Sequence, residues 1–251
     1  MNYKTFWLPP NASYVEYVIN DSLINKFFEV NNPDKKDIVI NVPDGCVNLW
    51  FLFNNHKCHA RIVGSGIEGV RSMVSDTEKC FGVKFNAGML PVKLMNNEKC
   101  IMNENYALNR YLDVAELEQL MEQSESPEDR MQIFLDNSGC FGDVLADNIT
   151  QIIIAYINDR NGNADIAAMA DELGYCQQHL SRVFKKMVGM TMKQYACIVR
   201  TQYAFSQIKS EPTTQICDTL GYYDQPHFIK EFKKYSMMTP NEAFNTTYNF
   251  V

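Results

Sequence analysis

Two short polar constellations toward the C-terminal end carry the chemistry of this chain. Gln178, Ser181, Arg182 and Lys185 fall on one side of a potential helix, and Gln225, Lys230, Lys233 and Lys234 on one side of another. A glutamine amide both donates and accepts, as an adenine edge requires, and the forked donors of arginine match O6 and N7 of guanine. A lysine ammonium pairs with phosphate without reading sequence. These residue types suit hydrogen-bond recognition of duplex DNA, in which Gln178, Ser181, Arg182, Gln225 and Lys230 are expected to read bases. Lys185, Lys186, Lys233 and Lys234 are expected to hold phosphates.

The two constellations are copies of one another. Asp171, Leu173, Gly174 and Tyr175 recur 47 residues later as Asp218, Leu220, Gly221 and Tyr222. Gln177, His179, Phe184, Lys185, Lys186, Met190 and Thr191 recur at an offset of 48 as Gln225, His227, Phe232, Lys233, Lys234, Met238 and Thr239. One residue inserted after the Gly-Tyr pair accounts for the change of offset. Any single lysine is explained as the solvated face of an amphipathic helix. Nothing structural obliges the same polar set to recur together.

Each copy predicts a short helix, a glycine turn and a longer helix. Ile166, Met169, Ala170 and Leu173 share one helical face before Gly174, as Ile216, Cys217 and Leu220 do before Gly221. Leu180, Val183 and Phe184, and Phe228 and Phe232, form the buried side of the following helices. That is a helix-turn-helix, whose second helix fits a major groove with its donors outward.

The stretch from about 149 to 244 resembles the DNA-binding domain of AraC/XylS-type bacterial transcription regulators, in which a long helix joins two helix-turn-helix units. The matching strings are LGYCQQHLSRVFKKMVGMT at 173–191, MKQYACIVRTQYAFSQIK at 192–209 with Arg200 and Ala204, and LGYYDQPHFIKEFKKYSMMTP at 220–240. Departures from the family pattern have physical consequences. Cys176 stands where serine caps the first reading helix, weakening its start by about 1 kcal/mol. Lys230 stands for arginine, keeping charge but losing bidentate base recognition, so the second unit is expected to lean on backbone contacts, with base reading by Lys230 and Gln225 left open. Met237 replaces a glycine, and Ala243-Phe244 replaces Tyr-Arg. The N-terminal half resembles the reduced cupin-like domain of one branch of the family, on Pro43–Leu49 and Phe81–Gly88. By that resemblance it senses a signal or mediates dimerisation.

The remaining composition agrees with an α+β protein of three parts: 1–105 β-rich, 106–146 a helical connector, and 147–251 a double helix-turn-helix. The 251 residues are 46% apolar and 21% charged, as in globular proteins. The net charge of −7 lies entirely in residues 1–146, with 13 basic and 20 acidic side chains; residues 147–251 carry 10 of each. A neutral half can still bind phosphate with bases gathered on one face, but this balance disfavours indiscriminate coating of DNA. No apolar run spans a membrane and the N-terminus lacks a signal-peptide pattern, so the expected location is cytoplasmic. Eight scattered cysteines read as free thiols.

Short β-branched and aromatic runs at 38–53, 60–75 and 80–95, broken by Pro-Asp-Gly, Gly-Ser-Gly and Asn-Ala-Gly turns, predict strands. From 147 to the end the pattern is helical throughout. Trp7 and Trp50 read as core of the β half. In the connector, Val114, Leu117, Leu120 and Met121 form one stripe. Ser126-Pro127-Glu128-Asp129 opens a second helix, with Met131, Phe134 and Leu135, that stops near Ser138-Gly139. The stripe packs on its own domain or on a second copy.

Other constellations fall short. His56, Cys58 and His59 lack the convergent ligands of a metal site and read as a hairpin loop. Gly64–Gly69 lacks the Gly-Lys-Ser/Thr ending of a phosphate loop and reads as a turn. Cys80 and Cys100 are redox candidates or core filling. No cofactor or metal is expected. The expected partners are double-stranded DNA, RNA polymerase, a second copy and a small-molecule effector. The rival functions are an enzyme whose β half is catalytic, and a regulator acting by protein contact alone.

Overall fold

The computed structural model describes residues 6–33, 39–95 and 105–251. Cys100 and the opening residues 1–5 lie outside them. The β half contains β1 (Phe6–Leu8), β2 (Ser13–Tyr17), β3 (Ile24–Asn31), β4 (Ile40–Asn41), β5 (Asn48–Asn54), β6 (Lys57–Val63), β7 (Val70–Arg71), β8 (Lys79–Phe85), β9 (Leu90–Pro91) and β10 (Asn105–Ala107). The expected strand texture at 80–95 ends early, since Val92–Met95 is a helical turn, α1.

Six strands form an antiparallel sheet in the order β10-β6-β5-β8-β3-β2. Its alternation sorts side chains between two cores. Leu49, Phe51, Phe27, Phe81 and Val83 point to one, and Trp50, Leu52, Phe28, Val30 and Cys80 to the other. Asn55 and His56 turn the β5–β6 hairpin with φ of 49° and 61°, the left-handed pair that matches strand twist. The hairpin separates the three side chains once weighed as ligands: Cys58 is buried while His56 and His59 are exposed.

The connector helices α2 (Ala115–Gln123) and α3 (Pro127–Asn137) cover the first face. Ser126 and Asp129 close the expected capping box at the start of α3. Val114, Leu117 and Met121 of the stripe are buried in the sheet's own core with Phe134 and Phe141, while Leu120 is half-buried outside it. Leu135 turns outward, 38% exposed. Glu118 and Glu122, one turn apart on α2, accept the backbone N–H groups of Ala60 and Cys58 at 2.7 and 2.9 Å. They satisfy a stretch of the β6 edge that β10 does not reach. Arg130 of α3 pairs with Glu29 of β3 at 2.8 Å, both buried.

The helical half runs α4 (Asn148–Asp159), α5 (Ile166–Leu173), α6 (Gln177–Val188), α7 (Met192–Gln207), α8 (Thr213–Thr219), α9 (Gln225–Ser236) and α10 (Pro240–Asn245). One element departs from the all-helical expectation: the chain ends in a strand, Asn249–Phe250. With β11 (Val144–Leu145), which pairs with β9, it is numbered β12. β12 joins a second sheet, β12-β1-β4-β7.

That small sheet is a wall between the halves. Phe6, Leu8 and Val39 face the core of the β half, whereas Trp7, Ile40 and Val42 are buried among helices α7, α8 and α9. Trp7 therefore belongs to a different core from Trp50, against the expectation. Strands buried on both faces read as continuous apolar runs, and Phe6-Trp7-Leu8 is one.

Candidate nucleic-acid interface

The two repeats fold as the sequence requires. α5 ends at Gly174 with φ 68°, and α8 is followed by Gly221 with φ 67°. A side chain at either turn would meet the left-handed backbone penalty. Leu180 and Phe184 of α6, and Phe228 and Phe232 of α9, are buried. Val183 is half-buried.

The opposite faces are open. Gln178, Ser181, Arg182, Lys185 and Lys186 on α6, and Gln225, Lys230, Lys233 and Lys234 on α9, are all exposed. Each helix thus brings its own predicted set together. Arg182 Nη2 lies 3.3 Å from Nδ1 of His179, whose ring stacks on Tyr175 at 5.4 Å. One nitrogen of the arginine's fork is thus turned back along the helix, and the residue as a whole is exposed. The paired lysines sit in the last turns of α6 and α9, where they also complement the helix dipole.

The helix starts differ as expected. No side-chain bond caps α6 at Cys176. Asp224 caps α9 by accepting the His227 N–H at 2.8 Å. At the other end of α9, Met237 occupies the left-handed region at φ 62° where Gly189 closes α6 at 85°. Ala243 is fully buried and Phe244 is 55% exposed, so the Ala-Phe pair places its small member inside.

Sequence reasoning missed what lies between and behind the reading helices. A groove of about 630 Å³ runs between the start of α7 and α9, lined by Thr191, Lys193, Gln194, His227, Lys230 and Lys234 among others. Lys193 and His227 thereby join the predicted lysines. Behind α9, Arg200 of α7 donates to Glu231 at 3.3 Å, and its guanidinium lies 4.9 Å from the Tyr222 ring. The Tyr222 hydroxyl donates to the same carboxylate. Burial, then Glu231, raise the Tyr222 pKa well above the usual phenol range, keeping it a donor. The signal for this anchor was Arg200 itself, a cation in an otherwise apolar helix face.

Among the described residues no group of three or more His, Cys, Asp or Glu side chains gathers as a metal site. The seven described cysteines are free thiols. Cys80 is fully buried, and burial, with smaller contributions from Cys58 and Glu29, pushes its pKa far up. A neutral buried thiol is core filling, not a redox nucleophile. No helix among the described residues is long and apolar enough to cross a membrane.

A duplicated helix-turn-helix with exposed donors on both second helices defines a DNA-binding protein, and similarity to known proteins agrees. A family model described as a helix-turn-helix domain matches residues 169–246. The chain is 31% identical over 104 residues to the "Probable transcription factor PqrA" of Proteus vulgaris, covering 38% of this chain and 83% of that protein. It is 30% identical over 108 residues to the HTH-type transcriptional activator AarP of Providencia stuartii, covering 40% and 78%. Among solved structures it is similar to ToxT from Vibrio cholerae, with 16% identity, 96% and 98% coverage and a TM-score of 0.42. It is also similar to the C-terminal domain of AraT from Geobacillus stearothermophilus, with 22% identity, 42% and 88% coverage and a TM-score of 0.38. The chain belongs to the AraC-type family of helix-turn-helix transcriptional regulators. It is a DNA-binding regulator.

Proposed function

We propose that α6 and α9 enter adjacent major-groove segments on one face of a duplex, about one helical turn apart. Gln178, Ser181 and Arg182 read bases from α6, and Gln225 and Lys230 from α9. Lys185, Lys186, Lys233 and Lys234 fix the register on phosphates. Lys193, lining the groove beside Lys230 and Lys234, adds a backbone contact between the two half-sites. The observation carrying this reading is the recurrence of one polar set, exposed on both second helices while their apolar faces are buried.

The three parts, 1–105, 106–146 and 147–251, act as sensor, connector and reader in a cytoplasmic regulator without catalysis. A small-molecule effector, RNA polymerase and a second copy are its further partners. Leu135 is the connector's outward apolar residue available for self-association. Sedimentation of the intact chain as a monomer at tens of micromolar overturns that last partner. Selection of bound fragments from random duplex DNA tests the main reading. The expected result is an enriched motif with two half-contacts. A flat result favours the two rivals.

A further inference from the structure

The second reading helix is fastened to the β half in a way the first is not. Trp7 is 1% exposed, lies edge-on to Phe205 at 5.6 Å and stacks on Phe250 at 4.8 Å. With Ile40 and Val42 it fills a core otherwise built from α7, α8, α9 and α10. Its indole Nε1 is buried without a hydrogen-bond partner. An unpaired buried donor is unfavourable, so the ring is retained for the surface it covers. The backbone adds a strand seam: Phe6 N–H donates to Val251 O and Val251 N–H to Phe6 O, both at 2.9 Å. The third fastening reaches α9 directly. Gly69, just before β7, donates its N–H to Lys234 O at 2.9 Å. It sits so close that a Cβ there would lie 2.3 Å from Tyr235 O.

β7 and β1 belong to the same four-stranded sheet, so the loop, the tryptophan and the terminal strand are parts of one connected frame. With this frame in place Gln225, Lys230, Lys233 and Lys234 stay exposed. The docked arrangement leaves the reading face free rather than masking it. By contrast, the β half reaches the core behind α6 through half-buried Ile67 and Ala87 and through α4 and α7, where Gln151 donates to Ala87 O at 3.1 Å and Gln202 to Pro43 O at 2.9 Å.

We infer that Trp7 and Gly69 are positioning residues for the second reading helix: the β half sets the orientation of α9 directly, and through it recognition of one half-site, while α6 takes its orientation from α4, α5 and α7. The inference rests on the DNA-binding reading. An effector acting on the β half would therefore alter the second half-site selectively.

The test uses the intact chain and three variants: Gly69→Ala, which forces the loop off α9 without truncating a buried side chain; Trp7→Ala; and Trp7→Phe, which keeps a ring and drops the unpaired donor. Backbone hydrogen exchange is read first, without DNA. The expected result is faster exchange in α9 and α10 for Gly69→Ala and Trp7→Ala, unchanged exchange in α5 and α6, and recovery in Trp7→Phe. Binding is then measured to the duplex selected by the wild-type chain, with either half-site scrambled. Gly69→Ala is expected to lose about tenfold of the discrimination belonging to the second half-site, the size of one or two misplaced base contacts. Discrimination at the first half-site stays within about twofold. Equal loosening of both units, undiminished discrimination at the second half-site, or tighter binding by Gly69→Ala overturns the inference. Failure of the wild-type chain to select any duplex overturns the DNA-binding reading, and the exchange comparison still decides the coupling.

Discussion

The two helix-turn-helix units began as one pattern, and their differences show which part of a repeat is tied to its surroundings. The first unit closes its core with α4, α5, α6 and α7, using Ile153, Ile157, Met169, Leu180 and Phe184. The second uses the end of α7, with Ala204, Phe205 and Ile208, where the first uses α4, and adds Trp7, Ile40 and Val42 from the β half. The ends of the reading helices are reversed in quality. α6 starts without a cap and stops on Gly189, whereas α9 starts on a capping aspartate and stops on Met237 in a left-handed conformation. A duplicated surface can thus be conserved in chemistry while its support is rebuilt.

The largest test of that contrast is Trp7→Ala. Truncating a fully buried tryptophan is expected to lower stability by about 3–5 kcal/mol, read as a shift of the urea midpoint. A loss under about 1 kcal/mol, the scale of an ordinary surface change, would show the second core to be self-sufficient. Next, Arg182→Ala should cost about 1–3 kcal/mol in binding and relax preference at one base position. Lys185→Ala should instead weaken all sequences alike and lower the salt slope by about one. Titrations at several salt concentrations separate the two, and uniform weakening by Arg182→Ala removes its reading role.

Smaller effects sharpen the comparison of helix ends. Cys176→Ser supplies the missing cap of α6 and should add about 0.5–1 kcal/mol. Met237→Gly relieves about 1–2 kcal/mol of left-handed strain, less the freedom gained by the unfolded chain, for a net gain near 0.5–1 kcal/mol. Thermal unfolding that moves downward in either variant contradicts the assignment of strain to these ends.

The smallest effect is in acid. The pKa of Asp129 is lowered by its bonds with Ser126, and that of Glu242 by accepting N–H and hydroxyl donation from Thr239. A carboxyl depressed in the folded state stabilises fully above the ordinary carboxylate range and loses that contribution as pH falls through the lowered value. Asp129→Ala and Glu242→Ala should therefore each flatten the acid limb of stability against pH. An unchanged limb would mean that these boxes do not titrate with folding.

Much of the reader was legible because its signals are local. A left-handed glycine and a 3.6-residue apolar period each act within a few residues, so Gly174, Gly221, Leu180 and Phe232 announced two helix-turn-helix units. Ser126-Pro127 fixed the start of α3 for the same reason. The β half was legible as strands but not as sheets, since pairing partners are set by contacts far apart in sequence. Phe250 carried no local reason to be a strand; it becomes one because its ring stacks on Trp7 at 4.8 Å. Leu135 fitted the apolar pattern yet faces solvent, because a periodic stripe leaves its rotation about the helix axis to the surface it meets.

The amino-acid order alone specified the duplicated recognition surface, its turns and its polar residues, since capping, backbone sterics and amphipathic period operate over short distances. Which core Trp7 enters, that the last residues complete the first strand's sheet, and that Gly69 touches the end of the second reading helix were decided by tertiary packing. Those contacts join residues more than 150 positions apart, and their free energy comes from excluding water between surfaces that no local pattern pairs.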